Sequence, residues 1–212
     1  MTTEKKTRIR RTRDVIDTQL MNAVCKVINE MGFSHLGINS VSEVAKVEKA
    51  YIYRNFDSFE NLLERYFIRN DFWERFITQK AYNEHGSDVK EMFIFYLSEL
   101  YKTMDQSSEF ESLARWEIAE PTPYIVRYAK RREIENQDLM KLNTEYFKNT
   151  DLDIEAIYAL FISGIYYLVI HKNVSSLCNI DFSTREGKKR LTNTIEQLAD
   201  MIFARRDAQT KG

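Results

Sequence analysis

Residues that interrupt secondary structure are scarce in this chain: its 212 residues include six Gly and two Pro. That scarcity argues against many short strands joined by tight turns and favours long helices with brief connections. Cysteine is scarcer still. Cys25 and Cys178 lie far apart, outside any metal or redox spacing, which excludes a disulfide framework and fits a reducing, cytoplasmic setting. Only three His are present, His35, His85 and His171, and none is spaced with another His or Cys to hold a metal. A Gly-rich phosphate loop and a nucleophile elbow are both missing. The expectation is no catalytic constellation, no metal and no cofactor. The basic N-terminus is not followed by an apolar segment, so it does not read as a signal peptide. The longest apolar stretch, Ile154 to Ile170, is interrupted by Glu155 and Ser163 and reads as short for a bilayer span. No membrane partner is expected.

What is present is core-forming material: 43% of residues are hydrophobic and 13% aromatic, ample for a packed interior. The net charge of −1 conceals an asymmetry. Residues 1–13 hold six basic side chains (Lys5, Lys6, Arg8, Arg10, Arg11, Arg13) against Glu4, leaving the remaining chain acidic. A basic arm ahead of an acidic body suits a protein that touches nucleic acid at one end. Taken alone, such a run is more often a solvated tail.

Apolar spacing predicts an all-α protein of about nine helices. They cover residues 13–31, two short helices within 38–56, then 58–82, 88–104, 107–117, 123–148, 154–173 and 184–205. Helix 154–173 is apolar nearly all round and is expected to be covered on both sides. Gly32 to Phe56 organises the rest. Ile38, Val41 and Val44 share one face, Ala45 to Val47 breaks it, and a second short helix follows with Ile52 and Phe56 turned to a core. A longer helix followed by two short ones across a tight turn is the layout of a helix-turn-helix, whose second helix enters the major groove. The alternative for such a pair is two core helices of an ordinary helical domain. With Ala50, Tyr53 and Phe56 placed inward, Lys49, Tyr51, Arg54 and Asn55 fall on outward arcs. Arg and Asn have the donors for bidentate contacts to guanine and adenine edges.

Leu20 to Leu63 resembles, without a gap, the N-terminal domain of the TetR family of bacterial transcriptional regulators. Leu20, Met21, Ala23, Val24, Val27, Ile28, Gly32 and Phe33 match the end of that family's first helix. Ile38, Val41, Ala45, Val47, Ile52, Tyr53 and Phe56 match the next two, and Ser58, Glu60, Leu62 and Leu63 match the opening of the fourth. Four positions depart from it: Lys46 replaces the turn glycine, Glu48 a capping serine, Ala50 a glycine and Phe59 a lysine.

The resemblance implies a three-helix DNA-binding head, residues 1–57, and a larger helical ligand-binding and dimerisation domain, residues 58–212. It adds Ser40 and Tyr53 as phosphate contacts, beside Arg10 and Arg11 of the arm. It implies a homodimer on a palindromic double-stranded operator, with repression relieved by a small-molecule effector. Tyr66, Asn70, Trp73, Tyr96, Trp116 and Tyr128 are the candidates to line the effector pocket, although an aromatic stripe at helical spacing is more often core. The last two helices would pair with a second subunit through Phe161, Gly164, Ile165, Leu168, Leu191, Ile195, Leu198 and Ile202. The competing reading is a helical protein-interaction or scaffold module that has lost specific DNA reading, kept open by Lys46, Glu48 and Phe59.

Overall fold

In the computed structural model the described residues are 13–70, 72–86, 88–119 and 122–210, without the side chains of residues 70–76 and 109. Among them are eleven α-helices and no strand. The chain divides into two compact units, Met1–Tyr66 and Phe67–Gly212.

The first unit opens with α1 (Arg13–Met31), whose buried stripe is Leu20, Met21, Ala23, Val24, Val27 and Ile28. Gly32, at φ 81°, ends it in a conformation that glycine adopts without steric cost. One 3-10 turn (Phe33–His35) leads to α2 (Ile38–Ala45) and α3 (Lys49–Phe56). The buried face of α2 is Val41, Ser42 and Ala45, one step round from the expected one, with Val44 half-buried. Asp57 closes α3 with a positive φ, and the Ser58 hydroxyl caps α4 (Phe59–Asn70) by accepting from the Asn61 amide at 3.1 Å. Leu62, Leu63 and Tyr66 complete this small core.

The second unit is built around α6 (Val89–Gln106). Eight of its residues are buried, from Val89 through Phe93, Leu97 and Leu100 to Met104. Asp88 caps it by accepting from the Glu91 amide at 3.1 Å. Packed against α6 are α5 (Phe72–His85), α7 (Ser108–Ala119), α10 (Ile154–His171) and α11 (Arg185–Thr210). The expected helix over 58–82 is present as α4 and α5, which flank the undescribed Asp71. The expected helix over 123–148 is two helices, α8 (Pro123–Glu135) and α9 (Gln137–Tyr146). Asn136, at φ −88° and ψ −3°, sits at the edge of the helical basin between them, and its Oδ1 accepts from Thr78 at 3.4 Å. Helix α11 runs five residues beyond the expected Arg205, because Asp151 pairs with Arg205 and hydrogen-bonds Gln209 in its last turns.

One close approach is confined to glycine. A Cβ at Gly187, in the first turn of α11, would meet the Asp181 carbonyl oxygen at 2.0 Å and its carbon at 2.7 Å. Backbone cannot swing aside as a side chain does. Gly187→Ala is therefore expected to cost about 1–3 kcal/mol, read as a lower urea midpoint at unchanged slope. An unchanged midpoint would mean that the 181–187 turn yields freely.

Candidate nucleic-acid interface

The turn between α2 and α3 keeps a left-handed residue although no glycine is there. Lys46 has φ 53° and ψ 43°. Its amide donates to the Glu43 carbonyl at 3.1 Å, and the Val47 amide donates to the Ser42 carbonyl at 3.1 Å. Those bonds satisfy the last carbonyls of α2 and offset the strain of a Cβ in this region. The lysine side chain stands exposed.

Helix α3 buries Ile52 and Phe56. Lys49, Ala50, Tyr53 and Arg54 are exposed, Tyr53 at 55%. The expected orientation is therefore corrected at two positions: Ala50 and Tyr53 face outward, not into the core. Tyr51 turns the other way, toward α1. Its hydroxyl donates to Asp17 Oδ1 at 3.1 Å, with the Arg13 carbonyl at 3.4 Å. Burial, then the charge of Asp17, raise the Tyr51 phenol above its ordinary pKa. Asn55 is half-buried, and its Nδ2 donates to the Tyr51 carbonyl at 2.9 Å, within the helix. The Arg54 guanidinium lies 5.7 Å from the Tyr51 ring centroid. The outward face thus presents two cations and a phenol around a small alanine that lets the helix approach a surface closely.

Asp17 was not foreseen. Besides Tyr51, its carboxylate has Arg65 of α4 at 3.8 Å and Arg13 at 3.9 Å. It joins α1, α3 and α4 through one partly buried group. A carboxylate one turn inside an amphipathic helix has no signature of its own in the sequence. The only hint was its place beside the apolar stripe of α1.

Ser40 is spent locally. Its hydroxyl donates to the His35 carbonyl at 2.5 Å and accepts from the Gly37 amide at 3.2 Å. Glu48, the residue before α3, is exposed and makes no capping hydrogen bond. Arg10 and Arg11 lie outside the described residues.

In the second unit, the pocket candidates divide. Trp116 and Tyr128 are both buried and meet through Phe67, whose ring centroid is 6.1 Å from one and 5.3 Å from the other. Tyr96 belongs instead to the central core, 6.1 Å from the ring of Tyr158. Tyr66 is buried in the first unit, and the side chains of Asn70 and Trp73 lie outside the described set.

The interface candidates on α10 and α11 divide as well. Ile165 and Ile195 are buried within the subunit, at 2% and 1% exposure, so they are corrected to core. Phe161, Leu168, Leu191 and Ile202 are half-buried. Gly164 faces out, with open space where a Cβ would stand. Beside it the structure adds Leu160 (73% exposed), Tyr167 and Met201 (67%) to Leu198. At 18 residues α10 is long and apolar enough to cross a membrane, contrary to the expectation of a segment too short, yet only 22% of it is buried. Its inner residues Ile154, Tyr158, Ile165 and Val169 serve the subunit core.

The arrangement of α1 to α3, with α2 and α3 meeting across a tight turn, defines an all-helical class of fold with a helix-turn-helix. Solved structures sharpen that class: the chain has the fold of TetR-family transcription regulators. It is similar to the fatty acid degradation regulator FadR of Bacillus halodurans, with 16% identity, a TM-score of 0.65, and 89% of this chain and 96% of that one covered. It is similar to a TetR-like transcriptional regulator of Rhodococcus sp. RHA1, with 16% identity, a TM-score of 0.64, and 92% and 99% covered. It is also similar to FadR of Bacillus subtilis, solved in complex with stearoyl-CoA, with 16% identity, a TM-score of 0.62, and 86% and 96% covered. No family model and no curated protein matches the sequence.

Proposed function

We propose that the protein is a cytoplasmic, homodimeric DNA-binding transcriptional regulator, a repressor that releases its operator when a small molecule binds its second unit. The observation that carries the DNA-binding reading is the outer face of α3. Lys49, Tyr53 and Arg54 stand exposed around Ala50, while Ile52 and Phe56 anchor the helix from behind. Lys49 and Tyr53 are suited to phosphates and Arg54 to a guanine edge. Tyr51 supports this face from below rather than contacting bases. The effector reading is supported by the likeness to a regulator solved with stearoyl-CoA. The effector would act by population shift, favouring a conformation whose two recognition helices no longer match successive major grooves about 34–36 Å apart.

Selection of bound DNA from a random pool tests the reading, with a palindromic consensus expected. The competing reading, a helical module without DNA specificity, draws support from the acidity of the head: residues 13–66 hold six basic and eight acidic side chains. It predicts a pool with no consensus.

Arg54→Ala is expected to leave the fold intact, because the side chain is exposed. Operator affinity falls by about 1–3 kcal/mol, with discrimination relaxed at one base pair. Unchanged binding to every single-base operator variant removes Arg54 from the reading set.

The outward stripe of α10 and α11 supports homodimerisation. A helix this apolar and this little buried needs a cover, and a second copy offers an equally apolar, self-complementary one. Gly164→Leu is expected to weaken the dimer while slightly favouring the isolated helix, since mid-helix glycine costs about 1 kcal/mol against alanine. Sedimentation velocity should show folded monomer at concentrations where the unaltered protein is dimeric. A variant that stays a tight dimer places the subunit contact elsewhere.

A further inference from the structure

In the second unit a largely buried ion pair closes a small cavity. Arg132 of α8 donates from both terminal guanidinium nitrogens to Glu117 of α7, at 2.9 and 2.7 Å. The two side chains keep 12% and 22% of their exposure. The guanidinium carbon sits 5.8 Å from the ring centroid of Tyr128 and 5.7 Å from that of Tyr166. Both charged residues line a cavity of about 10 Å³, walled otherwise by Met104, Phe110, Leu113, Ala114 and Tyr166. That is room for roughly one water molecule. Stability is a weak reason for such a pair, because replacing it by apolar groups of similar shape is often neutral or favourable. The planar fork between two aromatic rings is, however, the arrangement that recognises a carboxylate bidentately.

We propose that Arg132 is the anion-binding group of an effector site, and that the effector is an organic acid with an apolar body whose carboxylate takes the place of Glu117. This rests on the regulator reading above and adds the chemical class of the ligand. The exchange conserves charge: one carboxylate leaves the guanidinium as another arrives, so Arg132 is never buried without a counter-charge. Glu117 adjoins Ile118, which is 69% exposed, and α7 ends at Ala119, so the displaced carboxylate has water within reach. The upstream part of α7 stays anchored, with Glu111 3.4 Å from Lys172 and Arg115 donating to the Ile170 carbonyl at 3.2 Å. Trp116 is buried against Tyr124, their ring centroids 5.0 Å apart, so the end of α7 beyond it, from Glu117 to Ala119, is what moves. Its departure opens the cavity toward Met104, Phe110 and Leu113, which receive the apolar body.

The test uses 4-phenylbutyrate and decanoate, each beside its matching alcohol, titrated by calorimetry into the full-length protein, with melting temperature as a second readout. The unaltered protein is expected to bind each acid at least tenfold more tightly than its alcohol. Glu117→Gln removes the internal competitor. Its acid affinity should rise at least fivefold, and its melting temperature, lowered without ligand, should recover when acid is added. Arg132→Gln should bind acid and alcohol alike. Equal binding of acid and alcohol by the unaltered protein overturns the proposal. So does a Glu117→Gln variant that neither acid binds or restores; the pair is then a structural clamp. Operator selection with the unliganded protein tests the regulator reading separately. DNA selected but acids ignored sinks only the acid class; acids bound but no DNA selected sinks the regulator reading and leaves Arg132 as an acid-binding site.

Discussion

Removing residues 1–12 is expected to lower operator affinity by about two to three orders of magnitude at moderate salt, and to flatten its salt dependence. The folded head supplies little positive field of its own, since six basic side chains face eight acidic ones over residues 13–66. Residues 1–12 add five basic side chains and one acid, which turns the sign of the whole unit positive. Each phosphate neutralised releases counterions and steepens the log–log slope of affinity against salt by about 0.9, so four to five lost contacts lower it by roughly four. Fluorescence anisotropy over a salt series, with and without the arm, reads both quantities. Equal slopes would make Lys49 and Arg54 sufficient and reduce the arm to a solvated tail. Glu48 sharpens the expectation. It stands exposed and uncapped at the start of α3, where its charge opposes an approaching phosphate, so the head needs compensating cations from elsewhere in the chain.

The apolar skeleton of the head was legible because its signal is periodic. Leu20, Val24, Val27 and Ile28 on α1, with Ile52 and Phe56 on α3, recur at helical spacing and are buried as that spacing requires. The orientation of Tyr51 and Tyr53 was not legible. In a helix of eight residues two overlapping arcs account for the pattern almost equally well. What decides between them is Asp17, 34 residues away, whose carboxylate takes the Tyr51 hydroxyl. The same limit appears on α10. Its all-round apolarity predicts two covered sides, of which the subunit covers the inner one, and periodicity could not say that Ile165 belongs to that side and Leu160 to the exposed one. The pairing of Glu117 with Arg132 crosses a chain reversal of fifteen residues and leaves no trace in composition or spacing. Lys46 shows the reverse case, in which local backbone demand prevailed over residue preference: the turn kept its left-handed residue and tolerated a side chain there.

Asp105→Asn is expected to destabilise the second unit by about 3 kcal/mol near neutral pH. Asp105, in the last turn of α6, is 10% exposed and holds two lysines. Lys172 from the end of α10 is 2.9 Å from Oδ1, and Lys188 from the first turn of α11 is 2.7 Å from Oδ2. Lys172, itself 11% exposed, also reaches Glu111 of α7 at 3.4 Å. One carboxylate thus fastens the ends of α10 and α11 to α6. Its loss leaves Lys188, 35% exposed, free to turn to water, but leaves Lys172 largely buried with a single counter-charge, Glu111 at 3.4 Å, and the Asp105 carbonyl at 3.0 Å. Removing one partner of a buried pair costs about 3–5 kcal/mol, and the remaining Glu111 places the expectation at the lower end. Burial alone would raise the Asp105 pKa; the hydrogen bonds and charges of Lys188 and Lys172 outweigh it and hold the carboxyl below its ordinary value. A lowered folded-state pKa means that the stabilisation is complete above the unfolded-state value of about 3.9. It is lost as pH falls from there through the lower folded-state value. Urea midpoints measured from neutral to acid pH should therefore show the unaltered protein losing stability below about pH 4 more steeply than Asp105→Asn, with the two curves converging in strong acid. Parallel curves, or a variant as stable as the parent at pH 7, would show that the helix ends are held by the apolar core alone.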